Sequence, residues 1–454
     1  MLTSFFSFIV VLGILVFFHE LGHFIVARFF GVGVEKFSLG FGPRILGKTI
    51  GMTDYRISAV PLGGYVKMVG EDPDVEIEPE NLSLSFTHKH VFKRICIVAA
   101  GPISNLLLAV VIFLGFFLIV GIEDVTPVIR GIDKNGAAYQ SGLKKDDLIL
   151  SIDSKPVLSW YDINKAVEGA EDDALLLRVK RGENIFEAEV VPGKKTGKDI
   201  FGDEIAYLSF GAYAMPDLAA VVGNVSADSP AEKSGLKKGD KIVAIDEKPI
   251  EAWDEMRKLV VASDGKPLLF EVLRNGEMLR VTLTPALREQ KNILGQTQKQ
   301  YLIGISTTST ELDKTDRILR RLDFFGAVAE SFRRTYFVAE ISIMGIVKMI
   351  NGSISRDNLG GPIMIAQIAG KQAKEGLDKF IQFIAFISIN LAVLNFLPIP
   401  ILDGGHLLFF ACELVLRRPL SLRVREVAQQ GGLFVLILLM AFVFYNDIAR
   451  LFLG

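Results

Sequence analysis

The 454-residue chain has very few cysteines and little charge for its length. Its two cysteines, Cys96 and Cys412, are too few for the disulfide framework of a small secreted domain. Charged residues make up 22% of the chain, and 50 basic side chains against 52 acidic ones leave no basic excess to attract nucleic acid. Half of the residues are apolar and the mean hydropathy is +0.38, which excludes a disordered chain or an ordinary soluble enzyme. The composition therefore indicates a protein embedded in a lipid bilayer.

Four stretches without a charged residue are each near or above the ~20 residues that a helix needs to cross a bilayer. They predict membrane spans at residues 1–18, 95–122, 380–402 and 427–446. The first stretch lacks a basic leader and a small-x-small cleavage site, so we interpret it as a retained span rather than a signal peptide.

The distribution of lysine and arginine predicts how these spans are oriented. Basic residues are concentrated in the loop at residues 28–94 and in the loop at residues 417–425. The positive-inside rule assigns both loops to the cytoplasm. Both termini and residues 121–379 are then expected on the extracytoplasmic side.

The segment expected outside contains an internal repeat. Residues 141–147 match residues 234–240 at an offset of 93, and the same offset links Arg181 to Arg274. A period of this length suits two copies of a small domain rather than a solenoid. The two copies are predicted to share a strand (Leu148–Ile152; Lys241–Ile245), a helix near Trp160 or Trp253, and two strands around the arginine.

This order of elements resembles the PDZ domain in the form found in bacterial proteases. A PDZ domain binds an extended peptide, often a C-terminal tail, at an open sheet edge, so peptide tails are candidate partners. We assign residues 123–214 to a first PDZ-like domain and residues 215–308 to a second. The alternative is that both copies are structural spacers, because their shared turn and aspartate serve the fold whether or not a ligand binds.

The first span runs into the sequence His19-Glu20-Leu21-Gly22-His23. In a helix the two histidines lie one turn apart on one face, the spacing at which two imidazoles can reach one metal ion. Glu20 lies beside them and can accept a proton from water. Ionisable groups at the end of a membrane span are costly and usually functional, which makes satisfied core histidines the weaker interpretation. A catalytic zinc site usually has three protein ligands, so a third ligand must come from elsewhere.

The third span supplies the best candidate for that ligand. Two prolines between Asn395 and Asp403 break the helix, which a membrane tolerates only where the backbone faces protein or a water-filled cavity. Asp403 follows the break directly and is the preferred ligand, while His406 is a rival ligand or a supporting residue. Asn390 and Asn395 are neutral donors that can hold a substrate amide or stabilise an oxyanion, with hydrogen bonding between helices as their alternative role.

Together these motifs resemble the site-2 protease family of intramembrane zinc metalloproteases, in its bacterial form with two PDZ domains. The resemblance rests on the first motif, on the sequence from Asn395 to His406, on Gly-Pro-Ile-Ser-Asn at residues 101–105 and on the repeats, and it covers nearly the whole chain. It implies a bacterial inner-membrane location and single-span clients such as anti-sigma factors and remnant signal peptides. It also implies a Zn²⁺ cofactor with ligands His19, His23 and Asp403, and Glu20 as the catalytic acid and base.

A segment before the second span is assigned a role in presenting the substrate. Residues 55–60 and 65–69 flank a turn-like Pro-Leu-Gly-Gly sequence and predict a β-hairpin on the cytoplasmic side. A client unwound by the enzyme could pair with this hairpin as an added strand, near Gly63, Gly64 and Tyr65. A plain structural hairpin is the alternative.

Residues 317–350 mix phenylalanines with arginines and predict an amphipathic helix on the outer membrane surface, within an extracytoplasmic segment at residues 309–379. Packing against the repeats is the alternative for this helix. The remaining regions, residues 1–122 and 380–454, carry the four spans and the two chemical motifs.

The predicted fold class is an α-helical polytopic membrane protein with four transmembrane helices, a membrane-associated β-hairpin and two inserted α/β PDZ domains. The predicted function is that of a zinc endopeptidase that cleaves the transmembrane segments of single-pass membrane proteins in regulated intramembrane proteolysis. A non-catalytic PDZ membrane adaptor and a metal transporter are the alternatives, although neither needs a carboxylate between two imidazoles. The ligand types alone do not distinguish zinc from iron or cobalt.

Overall fold

The computed structural model describes residues 2–71, 77–171, 173–215, 218–291, 297–307, 316–356 and 359–453. The chain forms two compact units. The first combines Met1–Gly121 with Arg321–Gly454, and the second is Ile122–Arg320.

The first unit begins with helix α1 (Leu2–Phe29), which continues beyond the predicted span and includes both histidines of the first motif. Two long strands follow, β1 (Val34–Ile50) and β2 (Thr53–Met68). A 3-10 turn at Pro79–Leu84 leads into helix α2 (Val91–Ile119).

Strands β1 and β2 form one antiparallel sheet in which the first part of β1 has neighbours on both sides. Phe37 lies opposite Tyr55 on one side and opposite Val66 on the other. The predicted pairing of residues 55–60 with residues 65–69 is therefore wrong, because β1 lies between them. The hairpin turns instead at Gly51, whose φ of +61° favours glycine. In the described part of the chain, residues 65–68 pair on one side only and form an edge of the sheet.

The second unit opens with β3 (Ile122–Val125) and closes with β20 (Arg317–Arg320), which pair antiparallel. Between them, two copies of one fold recur at the predicted offset of 93 residues, almost all elements with matching bounds. The first copy contains β4 (Gly131–Ile132), α3 (Ala137–Gln140), β5 (Leu148–Ile152), β6 (Lys155–Pro156), α4 (Trp160–Gly169), β7 (Leu175–Arg181), β8 (Asn184–Val190), β9 (Gly193–Lys198), β10 (Glu204–Ser209) and β11 (Ala212–Tyr213). The second contains β12 (Val222–Val225), α5 (Pro230–Lys233), β13 (Lys241–Ile245), β14 (Lys248–Pro249), α6 (Trp253–Ala262), β15 (Leu268–Arg274), β16 (Glu277–Leu283), β17 (Ala286–Lys291), β18 (Thr297–Leu302) and β19 (Ile305–Thr307).

Each copy is built on a four-stranded antiparallel sheet, with strand order β6-β5-β7-β8 in the first and β14-β13-β15-β16 in the second. Alternate residues of the central strands face a closed core, where Ile149 and Phe270 are fully buried. The predicted strand, helix and two strands are present in both copies. The sequence did not predict the ribbons β9–β10 and β17–β18 that follow them.

One buried aspartate organises each copy. Asp147 accepts hydrogen bonds from the Arg181 guanidinium at 2.7 and 2.8 Å, and Asp240 accepts two from Arg274, both at 2.7 Å. Burial opposes the ionisation of Asp240, but Arg274 and the Lys237 backbone N–H outweigh it, so the pKa of this carboxyl is lowered. These ion pairs link the turn before the central strand to the end of the next strand.

The first unit resumes after the repeats with five helices. They are α7 (Phe324–Ile350), α8 (Pro362–Glu375), α9 (Leu377–Asn395), α10 (Asp403–Leu416) and α11 (Leu422–Leu453). The helix predicted within residues 317–350 is present from Phe324 onwards, whereas residues 317–320 form β20 because they pair with the distant β3. The predicted break at the prolines lies between α9 and α10.

Among the described residues, four helices are long and apolar enough to cross a membrane. They are α1, α2, α9 and α11, and they correspond to the four predicted spans. Helices α1, α2 and α9 share an apolar core in which Leu15, Leu108 and Ile384 are buried. Helix α2 packs against both α1, which carries the first chemical motif, and α10.

Candidate metal centre and active site

The two histidines of α1 lie where this helix approaches α2 very closely. A Cβ atom at Gly22 would lie 2.3 Å from the carbonyl oxygen of Ala100. A Cβ atom at Gly101 of α2 would lie 2.3 Å from His23 Nε2 and 2.9 Å from His19 Cε1. The absence of a side chain at Gly22 therefore allows the two helices to approach, and its absence at Gly101 makes room for the two imidazoles.

Asp403, the first residue of α10, completes the cluster. The turn before it folds tightly, since a Cβ atom at Gly404 would lie 2.3 Å from a backbone carbonyl oxygen. One carboxylate oxygen of Asp403 lies 3.1 Å from His19 Nε2, and the other lies 3.6 Å from His23 Nε2. The two Nε2 atoms are 3.2 Å apart. The structure thus brings together the three residues that were predicted as ligands.

These distances and donor types fit a zinc ion. Four ligand atoms at ~2.0–2.1 Å from a tetrahedral zinc lie roughly 3.4 Å from one another. The Ile97 carbonyl oxygen, 2.9 Å from His23 Nδ1, can only accept a hydrogen bond, so the imidazole proton of His23 lies on Nδ1. Its Nε2 then presents a lone pair to the cluster. Two neutral nitrogens and one carboxylate are a ligand set that catalytic zinc accepts.

Glu20 lies beside this cluster, in a cavity of about 380 Å³ that both metal-facing histidines also line. Strand β2 passes close to it, since a Cβ atom at Gly64 would lie 3.3 Å from Glu20 Cγ and 2.7 Å from a methyl group of Val16. The Val66 backbone N–H faces the Glu20 carboxylate. Glu20 is therefore positioned between the proposed ligands and the edge of the sheet, where it can exchange a proton with a group held in the cavity.

The two predicted asparagines are placed differently. Asn395 Nδ2 lies 3.5 Å from His19 Nδ1, next to the metal centre. Asn390 Nδ2 instead donates to the carbonyl oxygen of Phe386, one turn earlier in α9, at 2.8 Å.

The remaining predicted residues lie on β2 and α10. Gly63, with a φ of +127°, and Gly64 precede Tyr65, whose side chain lines the cavity together with His406. His406 is not one of the three clustered ligand residues.

Two residues of the site received no individual role from the sequence. Asn105 of α2 is fully buried, and its Nδ2 atom lies 3.4 Å from His19 Nδ1. The carboxylate of Glu71 lines the cavity and accepts a hydrogen bond from the Met68 backbone N–H at 3.0 Å, while burial raises its pKa. A polar residue within an apolar span was an available signal for Asn105. The position of Glu71 depends on tertiary packing, which the sequence pattern does not reveal.

Comparison with known proteins identifies the family to which the chain belongs. A family model described as peptidase family M50 matches residues 7–439, which include both chemical motifs. The regulator of sigma-E protease of Escherichia coli is 34% identical over 460 residues, with 98% of each chain covered. A Neisseria meningitidis protein to which a zinc metalloprotease activity is ascribed is 34% identical over 458 residues, again with 98% of each chain covered. The chain belongs to peptidase family M50 and is a membrane-embedded zinc metalloprotease.

Proposed function

We propose that this intramembrane protease hydrolyses a peptide bond within the transmembrane segment of single-pass membrane proteins. In this proposal His19, His23 and Asp403 hold the zinc ion and Glu20 is the catalytic acid and base. The observation that carries it is the cluster of three ligand residues, 3.1 to 3.6 Å apart, beside a carboxylate in a bundle of apolar helices. A site built from such helices is suited to a bond that lies in lipid.

The proposed roles follow from the chemistry of amide hydrolysis. Bound zinc would supply Lewis acidity, which polarises the scissile carbonyl and acidifies water. Glu20 takes the proton of the attacking water and returns it to the leaving amine. Asn395 is partly exposed and can donate its amide N–H to the oxyanion that develops. Asn390 has a second amide N–H and a carbonyl oxygen with which to hold the substrate backbone.

The edge of the sheet suits the presentation of an unwound client. A helix hides its peptide bonds, so the client must be extended before it can be cleaved. Residues 65–68 form a sheet edge beside Glu20, and an added strand there would satisfy the backbone of the client in apolar surroundings. Gly64 permits the close approach of this strand to α1, Gly63 leaves room for the Phe41 ring of β1, and Tyr65 lines the cavity that the client would enter.

We assign the two repeats to the PDZ fold, with domain bounds at residues 123–214 and 215–308. Their identical sheet order supports this assignment. A cavity of about 690 Å³ lies between α4 and the β10–β11 segment of the first repeat; Trp160, Val167 and Phe210 line it, and Ala252 and Asp254 of the second repeat complete its wall. An apolar groove between a helix and a strand suits an extended peptide tail.

The cellular setting is inferred from charge and from the relatives. The inner membrane of a bacterium is supported by the likeness to sigma-E proteases. The basic loops at residues 28–94 and 417–425 favour a cytoplasmic active-site side, with both termini and the repeats in the periplasm. Clients of the anti-sigma-factor or remnant-signal-peptide type would then pass the repeats on the periplasmic side, where the repeats would screen the outer part of the client.

Replacing Glu20 by glutamine tests the proposed mechanism. Glu20→Gln should lower cleavage of a model single-span client by about a thousand-fold, because it removes the proton acceptor. It should leave the zinc content near that of the native protein, because no ligand is lost. Glu80→Gln, which changes an exposed carboxylate in the 3-10 turn before α2, is the matched control and should cleave normally. Cleavage by Glu20→Gln at a rate near that of the native enzyme would show that another residue moves the proton.

A further inference from the structure

Asn105 of α2 is a fully buried amide beside the proposed metal centre. Its Nδ2 atom lies 3.4 Å from His19 Nδ1, and its Oδ1 atom has no hydrogen-bond partner within the described part of the chain. The Ser388 hydroxyl of α9 donates to the Asn105 backbone carbonyl at 2.7 Å, which fixes the residue against a second helix. Because buried amide oxygens are rarely left unpaired, the environment of Asn105 calls for a functional explanation.

The explanation lies in the two orientations of the amide, which have nearly the same shape but opposite hydrogen-bonding character. With Nδ2 towards His19, Asn105 donates to His19 Nδ1, and the imidazole proton lies on Nε2, 3.1 Å from an Asp403 oxygen. A His19 Nε2 that coordinates zinc carries no proton, so the proton of the neutral ring must lie on Nδ1. Nδ1–H then needs an acceptor, which the same amide provides after half a turn about its last side-chain bond.

We propose that Asn105 is the positioning residue of His19: its Oδ1 accepts the Nδ1–H bond and fixes the tautomer in which Nε2 is a ligand. His23 has an equivalent support, the Ile97 carbonyl oxygen at 2.9 Å from its Nδ1. Both histidines are then oriented by groups of α2, one a side chain and the other backbone. This inference rests on the proposed role of His19 as a zinc ligand.

Asn395 is the competing partner, because its Nδ2 atom lies 3.5 Å from the same nitrogen of His19. The difference in burial favours Asn105. Asn105 is 0% exposed and has no access to water, whereas Asn395 is partly exposed in the last turn of α9. With His19 held by Asn105, the amide of Asn395 remains available to a substrate.

Zinc affinity of the full-length protein in detergent, measured by competition with a chromophoric chelator, tests this inference. Asn105→Leu removes the acceptor at similar volume and should lower the affinity about 10- to 100-fold. Asn105→Asp keeps an acceptor but removes the N–H donor, and it should restore most of the lost affinity. Asn395→Leu is the matched control and should bind zinc nearly as tightly as the native protein. Nitrogen-15 NMR of zinc-loaded, histidine-labelled protein should show the His19 proton on Nδ1 in the native protein and in Asn105→Asp.

The possible results separate clearly. Native affinity in Asn105→Leu, or an Asn105→Asp variant that binds as weakly as Asn105→Leu, overturns the inference. A loss of affinity confined to Asn395→Leu also overturns it and assigns the support to Asn395. If the native protein binds no zinc, or if His19→Ala binds zinc normally, the proposed metal site itself is wrong. Equal unfolding temperatures of metal-free native protein and metal-free Asn105→Leu would show that the substitution acts on the metal site. If Asn105→Leu does not fold, Asn105→Ala replaces it.

Discussion

Carboxylates with little exposure to solvent occur in both units of the molecule, but the partners of Asp403 differ from those of Asp147 and Asp240. In the second unit Asp147 and Asp240 each face an arginine and a backbone N–H, which are hydrogen-bond donors, and the arrangement occurs twice. In the first unit the partly buried Asp403 faces the Nε2 atoms of two histidines, of which His23 Nε2 presents a lone pair. A carboxylate among donors is satisfied by the fold itself, whereas a carboxylate that faces a lone pair is stabilised by a cation between them. The identity of the partners, more than burial, therefore separates a structural carboxylate from a functional one.

The strongest test of this comparison removes the functional carboxylate. Asp403→Ala should lower zinc affinity by more than ~100-fold and abolish cleavage, because loss of a ligand exceeds the usual cost of losing a supporting residue. Metal analysis of the purified protein measures the effect. Asp378→Ala, at an aspartate exposed near the start of α9, is the control. An unchanged zinc content in Asp403→Ala would transfer the third ligand to another residue, with His406 as the first candidate.

A second test alters the space around the ligands rather than the ligands themselves. Gly101→Ala would place a methyl group 2.3 Å from His23 Nε2, so an imidazole or α2 must move. We expect zinc affinity to fall about 10-fold, the scale of a disturbed ligand orientation. Gly115→Ala is a matched control on the same helix, because no atom lies within 4 Å of its added Cβ. Equal zinc affinities for the two variants would contradict the close fit of α1 against α2.

Replacing the structural carboxylate of Asp240 should lower stability and leave zinc affinity unchanged. Asp240→Asn should reduce the free energy of unfolding of the second unit by about 2 kcal/mol, below the usual cost of breaking a buried pair because Arg274 is partly exposed. Zinc affinity should not change. Thermal unfolding of the full chain and hydrogen exchange of strand β13 measure the effect, and Asp254→Asn, at an exposed aspartate of the same repeat, is the control.

The loss of stability caused by Asp240→Asn should depend on pH. Because the folded-state pKa of Asp240 lies below its ordinary value, its contribution to stability is complete above about pH 4 and is lost as the pH falls through the folded-state value. The stability difference between native protein and Asp240→Asn should therefore shrink in acid. A difference that stays constant down to pH 2 would argue against a charged Asp240 in the folded unit.

The smallest expected effect is on the choice between clients. Deletion of the duplicated region tests whether the repeats act on clients at all. Residues 126–316 can be replaced by an Asn-Gly turn, because Val125 and Arg317 are paired neighbours at the end of an antiparallel ladder. Zinc content should be unchanged, since the proposed ligands all belong to the first unit. The ratio of cleavage rates for trimmed and full-length forms of one client should fall towards unity. A ratio that is the same before and after the deletion would leave the repeats as spacers or tail binders.

The parts of this molecule that could be predicted from sequence are those set by local spacing. His19 and His23 share a helix face because they are four residues apart, and the 93-residue offset locates every element of the second repeat from the first. The sheet was mispredicted because its order is not local: β1 pairs with both ends of β2, and therefore lies between two segments that only residues 61–64 separate in the sequence.

Residues 317–320 were misassigned to a helix for the same reason, since their strand partner lies at the other end of the second unit. Asn105 is an intermediate case. Its polar side chain in an apolar span indicates a role, but only the packing of α2 on α1 shows that it lies beside His19.

The pairing of β3 with β20 also has an evolutionary consequence. The chain leaves and returns to the first unit through two adjacent strands, so the length of sequence between them is not constrained by the helices. Gain, loss or duplication of a 93-residue repeat between β3 and β20 would change only the sequence that connects these two strands. The catalytic helices and the repeats, for which we propose a role in screening clients, are therefore free to diversify at different rates within one gene.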